Sequence, residues 1–432
     1  MDAEAREQQR VVARQEAARL SAEGVRAVAL SWTDNAGVNR VKTVPTARLA
    51  DAAYRGVGMS PVFDVFTSDD MITASPHLGG PDGDLRLFPD LERLTVLAAQ
   101  PGWAWAPADR YQQDGAPHPA CQRQFARRMV ARAAAQGLEL RMGFETEWIV
   151  EPAGDGPAYG LTRVVERSDY LRDLYEALGA QGMDVLQVHP EYTPGQFEVS
   201  TAPADPVGAA DDVILVRETV RAVSLRHGLR ASFAPAFTAG QVGNGCHLHV
   251  SASGLLDGGT GAGAYGMTPA GEAFLAGLLA ELPALLAIGA PSPASYLRLE
   301  PSRWAGAFRC WGLENREAAL RFVAGDNPNA ELKCFDAAAN PYLVVGAVIA
   351  AGLAGTGPLP EPVVGDPAAR GDQERLPLSL ADAADAFEDS GVLREALGEV
   401  LHGAVLAVRR AEAERFAKSS PEEIAEATRW RW

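Results

Sequence analysis

Three segments of this chain set acidic, amide or imidazole side chains two residues apart: Glu145 and Glu147, Gln196 and Glu198, and His247 and His249. In a β-strand, residues i and i+2 project from one face, so each pair aims both polar groups into one space while its neighbours point the other way. The run Leu140-Arg141-Met142-Gly143-Phe144-Glu145-Thr146-Glu147-Trp148 illustrates this. Its even positions are mostly apolar and suit a core, and its odd positions carry the carboxylates. The spacing predicts a sheet with one packed face and one binding face.

Glu191 stands just before the second pair, and Ala330-Glu331-Leu332-Lys333-Cys334-Phe335 adds a strand-like segment with Glu331 and Lys333 on a shared face. Five carboxylates and one or two histidines would then converge. A donor set rich in oxygen suits hard divalent cations, so Mg²⁺ or Mn²⁺ is expected; zinc prefers more Cys or His. Clustered carboxylates raise one another's pKa unless cations sit among them, so the cluster makes physical sense when metal-loaded.

Phosphate chemistry also requires positive donors where charge develops. Arg298, Arg309, Arg316, Arg321 and Lys333 follow the His247–His249 pair and are candidates. Arginine grips carboxylate or phosphate through two parallel hydrogen bonds. The competing reading of these residues is a set of surface ion pairs.

With 432 residues and 47% hydrophobic content, the chain has material for a large core and two domains, expected at 1–107 and 108–432. The net charge of −17 opposes non-specific binding to nucleic acid or to an anionic membrane, and neither is an expected partner. Cys121, Cys246, Cys310 and Cys334 have no CxxC spacing and read as reduced, buried thiols. Alternation turns Cys246 away from the face of His247. The charged N-terminus lacks the apolar core of a signal peptide, so a cytoplasmic protein is expected. The most apolar run, Tyr342 to Ala354, falls short of the roughly 20 residues that span a bilayer and reads as a buried helix capped by Asn340.

The order of elements is α+β. Residues 2–23 read as a helix, followed by a hairpin with strands at 25–32 and 38–44 around a turn at 34–37. The Pro-, Gly- and Trp-rich stretch from Leu78 to Pro107 leads to the domain boundary. Beyond it, helices at 119–136, after a cap at Ser168 and at 206–227 alternate with the strands. The small-residue stretch 251–266 reads as a flexible loop without phosphate-loop spacing, and the last fifty residues as two or three helices, one capped by Ser420.

Taken in order, Gly143-Phe144-Glu145-Thr146-Glu147, Glu191-Tyr192-Thr193-Pro194-Gly195-Gln196-Phe197-Glu198, Gly243-Asn244-Gly245-Cys246-His247-Leu248-His249-Val250-Ser251, Arg298, Asn315-Arg316 through Arg321, and Glu331 with Asp336-Ala337-Ala338-Ala339-Asn340-Pro341-Tyr342 closely resemble the type I glutamine synthetase family. The resemblance covers nearly the whole chain. It implies a small N-terminal β-grasp domain, a larger catalytic domain with a curved antiparallel sheet and helices, and a homo-oligomer of hexameric rings, a dodecamer. It also implies an ATP-dependent ligase that phosphorylates glutamate and lets an amine displace the phosphate.

By the same resemblance, Glu147, Glu191 and Glu198 would hold the metal nearer glutamate, and Glu145, His247 and Glu331 the metal nearer the ATP phosphates. Arg298 would grip glutamate, with Gly243 and Lys333 also at the substrate. His249 and Ser251 fall where the family contacts nucleotide, and Arg316 and Arg321 where it steadies the transferring phosphate.

Departures from the family pattern point to the acceptor. The aspartate that helps bind ammonium has no counterpart in register near Ser60, with Asp64 close by in sequence, and the flap glutamate aligns with Trp304. Loss of both acids removes negative charge for NH₄⁺, and an aromatic ring offers apolar surface to a carbon substituent. The expected product is therefore a γ-glutamyl amide of an organic amine, with a small monoamine or amino alcohol favoured over a polyamine. The alternatives are an ordinary glutamine synthetase using ammonia and a non-catalytic, nitrogen-sensing relative. Lys333 and Asn329 stand where many members have arginines, and no tyrosine follows Tyr342 to accept adenylylation.

Overall fold

The expected hairpin starts the first sheet. In the computed structural model, which describes residues 1–257, 263 and 265–432, β1 (Ala27–Thr33) and β2 (Asn39–Pro45) pair antiparallel around the 34–37 turn. The sheet is completed by β3 (Val57–Met59), β4 (Leu85–Pro89), β5 (Thr95–Val96) and β6 (Trp103–Tyr111), in the order β2-β1-β6-β4-β3 with β5 beside β6. The stretch from Leu78 to Pro107 thus supplies β4, β5 and the start of β6. Helix Ala3–Ala22, capped by the Asp2 side chain, buries Ala13 and Leu20 in this layer's core.

The alternating segments form a second, eight-stranded sheet. Its strands are β7 (Leu140–Glu151), β8 (Val185–Pro190), β9 (Gln196–Thr201), β10 (Arg230–Ser232), β11 (Cys246–Ala252), β12 (Phe308–Leu313), β13 (Ala318–Val323) and β14 (Asn329–Leu332). The order is β12-β13-β14-β11-β7-β9-β8, with β10 beside β7; β12 and β13 run parallel and the other pairs antiparallel. Met142, Phe144, Trp148 and Val150 of β7 are buried in the main core, as the alternation requires. Helix Pro206–Arg226 packs against β7, and helices Gln122–Ala134 and Pro269–Gly289 both pack on helix Pro341–Leu353.

Asn340 accepts from the backbone N–H groups of Tyr342 and Leu343 and so caps the last of these helices, which is apolar all round and buried. Helix Pro269–Gly289 has 21 residues and is apolar enough to cross a membrane by length and composition, yet Phe274, Leu278, Leu282 and Leu285 are buried in the fold. All four cysteines are free and buried. Ser420 and Glu423 form a reciprocal capping box.

Three local expectations need correction. Ser168 does not cap its helix: it is the first residue of Ser168–Ala180, follows Arg167, and the end has no side-chain cap. The short helix Leu161–Glu166 runs almost directly into it, so little non-helical backbone remains for a cap. The Glu331 strand ends at Leu332, and Lys333 lies just past it. Of the expected flexible loop at 251–266, positions 258–262 and 264 lie outside the described residues; Ser251 and Ala252 belong to β11.

The 34–37 turn docks on the second unit. Asn340 Nδ2 donates to the carbonyls of Thr33 (2.9 Å) and Asp34 (3.1 Å), Arg409 Nη1 to Asn35 O (2.7 Å), and Trp432 Nε1 to Ala36 O (3.0 Å). Gly37 has φ +76°, and a Cβ there would run into the carbonyl of Ala338. Gly37→Ala is expected to destabilise by at least about 1–3 kcal/mol through the left-handed backbone alone. A urea titration followed by tryptophan fluorescence reads it, and an unchanged midpoint would show the turn to be free.

Candidate active site

Strand register decides which polar side chains meet. On one face of the large sheet, Arg321 of β13 pairs with Glu331 of β14, and Glu331 pairs with His249 of β11. In the next row His247 lies opposite Glu145, and in the next Glu147 lies opposite Glu198, which lies opposite His189 of β8. Because directly opposed residues share a face, these rows bring together side chains from β7, β8, β9, β11, β13 and β14.

The rows open into a cavity of about 540 Å³ lined by Glu145, Glu147, Glu191, Glu198, His247 and Glu331, the six expected ligands, together with Arg298, Arg316, Arg321, Lys333, Gly243 and Trp304. His247 Nδ1 lies 3.2 Å from Glu145 Oε2 and 3.3 Å from Glu331 Oε1, and its Nε2 lies 3.7 Å from Glu147 Oε1. Three overlapping sets, Glu145–Glu198–His247, Glu145–His249–Glu331 and His189–Glu191–Glu198, each offer donor atoms within 4.8 Å of one another. Oxygen donors predominate, which fits a hard divalent cation.

The electrostatics of the bare cavity point the same way. Burial pushes the Glu147 carboxyl up to about 8, with repulsion from Glu198 and Glu191 adding to it. Burial likewise raises Glu198, and the charges of Glu145 and Glu191 reinforce that. Burial opposes ionisation of Glu145 too, but its hydrogen bonds from His247 and His249 prevail and hold it well below the carboxylate range. Glu331 is brought down to about 2 against its burial by Lys333, His247 and His249. The acids whose partners, Arg298 for Glu147 and His189 for Glu198, do not outweigh burial and repulsion are those at the Glu147–Glu198 end, where a cation would relieve the repulsion.

Arg298 is buried and lines the cavity. Its Nη2 donates to Lys333 O (3.0 Å) and lies 3.1 Å from His247 Nε2, while Nη1 has no hydrogen-bond partner among the described residues. An unpaired buried guanidinium nitrogen suits an incoming carboxylate. Gly245 keeps this junction open: a Cβ there would lie 2.8 Å from Arg298 Nη2 and 2.9 Å from Glu147 Oε1. Arg321 Nη1 holds Glu331 Oε2 at 3.2 Å, and its buried Nε is also unpartnered. Lys333 Nζ donates to Glu331 Oε1 at 2.9 Å.

Other expected residues sit at the edges. His249 Nδ1 is 2.8 Å from Asn329 Oδ1, and its Nε2 is 3.3 Å from Glu145 Oε1. Ser251 continues that face opposite Arg141, beyond the cavity lining. Arg309 does not join the cluster: it donates to the carbonyls of Leu279 and Ala280 and pairs with Glu374. Alternation could not foresee this, because it gives a strand face and says nothing of which helix covers it. Asp64 is equally unavailable to substrate, since it is fully buried between Arg110 Nη1 (2.7 Å) and His118 Nε2 (3.2 Å).

Sequence reasoning missed His189, Tyr159, Tyr192 and Arg303, which all line the cavity. His189 Nε2 contacts Glu198 at 3.2 Å and Tyr159 Oη donates to Glu191 Oε2 at 2.8 Å. The hydrogen bond to Glu198 raises His189 to about 9. Gln187 and His189 repeat the i, i+2 spacing, which was the signal available. Gln196, fully buried, is a positioning group: its Nε2 donates to Glu147 Oε2 (2.8 Å) and to Gly243 O (3.0 Å).

Comparison with known proteins places this geometry. Residues 9–118 match the model of the glutamine synthetase N-terminal domain, and residues 119–427 that of the glutamine synthetase catalytic domain. The chain is 55% identical to the Gamma-glutamylpolyamine synthetase GlnA3 of Streptomyces coelicolor, over 96% of this chain and 95% of the relative. A solved structure described as a novel glutamine synthase homolog superposes with a TM-score of 0.86 at 33% identity, covering 94% of this chain and 99% of the other. A GmaS/ADP complex does so with a TM-score of 0.83 at 30% identity, covering 94% and 96%.

Proposed function

Since the chain belongs to the glutamine synthetase family, we propose that it joins the γ-carboxylate of glutamate to an organic amine, consuming ATP through a γ-glutamyl phosphate. The observation that carries the choice of an amine over ammonia is the mouth of the cavity. Trp304, which by its spacing from Arg298 aligns with the family's flap glutamate, lines the cavity and is 45% exposed, and Asp64, the acid near the missing ammonium ligand in sequence, is locked in the core. The name of the relative from Streptomyces coelicolor supports an organic amine, and it names a polyamine rather than the small monoamine or amino alcohol expected from the sequence.

The proposed roles follow from the contacts. Arg298, with Nη1 free to donate, binds a carboxylate of glutamate, with Glu147, Gly243 and Lys333 around it. Arg316 and Arg321 line the cavity and offset negative charge that develops as the phosphoryl group leaves ATP. His249, midway along β11, and Ser251, near its C-terminal end, receive the nucleotide. Glu147, Glu191 and Glu198 would hold one divalent cation, and Glu145, His247 and Glu331 a second. Magnesium or manganese bound there supplies Lewis-acid polarisation of phosphoryl and carboxylate oxygens. The remaining proposals, a cytoplasmic location and a homo-oligomer of hexameric rings, rest on family membership and are tested by fractionation and by sedimentation.

Glutamate, ATP and a mixed pool of ammonia, monoamines, amino alcohols and polyamines, with products read by mass spectrometry, test the reading. The expected outcome is a γ-glutamyl amide with ADP released in equal amount, and at least about tenfold preference over ammonia, the range that packing of one or two carbon atoms provides. Glutamine as the dominant product would make this an ordinary glutamine synthetase. Binding of metal and ATP without glutamate-dependent turnover would favour a sensor.

A further inference from the structure

We propose that a second cavity, adjoining the first, is a subsite for the aliphatic chain of the amine, with Tyr192 and Trp304 as its entrance; the proposal rests on the ligase reading above. This cavity measures about 410 Å³ and shares Tyr192, Val242, Arg303 and Trp304 with the catalytic chamber. A substituent leaving the reacting nitrogen past Trp304 enters it directly.

The lining fits carbon better than charge. Among the described residues no carboxylate lines this cavity, whose wall also includes Thr193, Pro194, Gly240, Gln241 and Ser302. The rings of Tyr192 and Trp304 lie 5.5 Å apart at 47°, and both are nearly half exposed (46% and 45%). Paired aromatic rings left open beside a reaction centre present a surface for methylenes, and their π-faces also attract a distal ammonium if the chain carries one. Arg303 is occupied: its Nη1 donates to Gly240 O at 2.8 Å.

Trp304 is held in place from three sides. Ser302 and Trp304 adopt left-handed backbone conformations (φ 58° and 56°), which bulky side chains rarely do. Glu317 Oε1 accepts from the Trp304 N–H at 2.7 Å, Asp366 Oδ2 accepts from Ser302 Oγ at 3.0 Å, and Arg303 ties the segment to Gly240. Backbone strain kept by the surrounding structure clusters at ligand clamps, and here it fixes one aromatic ring at the junction of two cavities.

The test is kcat/KM for n-alkylamines from ethylamine to hexylamine, and for α,ω-diamines of the same lengths, at saturating glutamate and ATP. The wild-type protein is expected to gain about two- to fourfold per added methylene until the cavity is filled. Trp304→Ala and Tyr192→Ala should flatten that slope toward one. Gln241→Trp, which fills the cavity from an exposed position, should penalise long amines selectively. Parallel slopes in the two series identify the chain as the recognised group, and a diamine series lying above the monoamines adds the π-faces. Turnover that ignores chain length in the wild type, or a slope that survives all three substitutions, overturns the subsite alone. Absence of product with every amine overturns the ligase reading and the subsite with it.

Discussion

Replacing Glu147 with alanine is expected to lower kcat/KM by at least about a thousandfold, equivalent to roughly 4 kcal/mol of lost transition-state stabilisation. The metal-free variant should nonetheless be no less stable than the wild type. Glu147 is buried beside Glu198 and Glu191, and its carboxyl is pushed up to about 8 because burial and those charges disfavour ionisation. Its removal relieves like-charge repulsion with Glu198 and Glu191 that Arg298 and the Gly245 N–H offset only in part. Chemical denaturation with chelator present, set against kinetics with Mg²⁺ or Mn²⁺, measures both effects. Loss of stability in parallel with activity would make Glu147 a structural residue. A variant that keeps most of its activity would remove it from the metal and substrate site.

Asp64→Ala should have the opposite profile, a cost of about 3–5 kcal/mol in stability from a residue outside the cavity. Asp64 accepts two hydrogen bonds from Arg110 Nη1 (2.7 and 2.8 Å) and one from Gln122 (3.2 Å), and both Asp64 and Arg110 are fully buried. Truncating the acid leaves a guanidinium without its counter-charge. Burial tends to raise the Asp64 pKa, but Arg110 and His118 outweigh it and bring it below the ordinary value. A depressed folded-state pKa stabilises at pH above the unfolded value and loses that contribution as pH falls through the folded one. Wild-type stability should therefore fall away below about pH 4, and Asp64→Asn should lack this component of the acid sensitivity. Equal urea midpoints for wild type and Asp64→Ala at neutral pH would refute the argument.

The clustering of the residues proposed to hold metal was legible because a strand's two-residue period is geometrically strict. Glu145 and Glu147 must share a face once their segment is extended, and the apolar even positions fix which face is buried. Arg309 was misplaced and His189 missed for related reasons. Arg309 leans on the carbonyls of Leu279 and Ala280, a contact made by a helix about thirty residues earlier in the chain. His189 gains its importance from lying opposite Glu198, a pairing set by how β8 docks on β9. Ser168 has the chemistry of a helix cap, but the helix before it leaves no cap position.

Local chemistry therefore determined, from the sequence by itself, the strands that carry Glu145 and Glu147, Gln196 and Glu198, His247 and His249, and Glu331, the face on which those groups lie, and that a buried helix follows Asn340; these depend on backbone periods and on groups a few residues apart. Only the tertiary structure decided the rows that set His247 against Glu145 and Glu147 against Glu198, the unpaired Arg298 Nη1, and the second cavity beside Trp304. Those features depend on the pairing order β14-β11-β7-β9-β8, in which paired residues lie as far apart in the chain as Leu140 and Ala252. Side-chain periodicity names a strand's faces but contains no term for which strand will lie beside it.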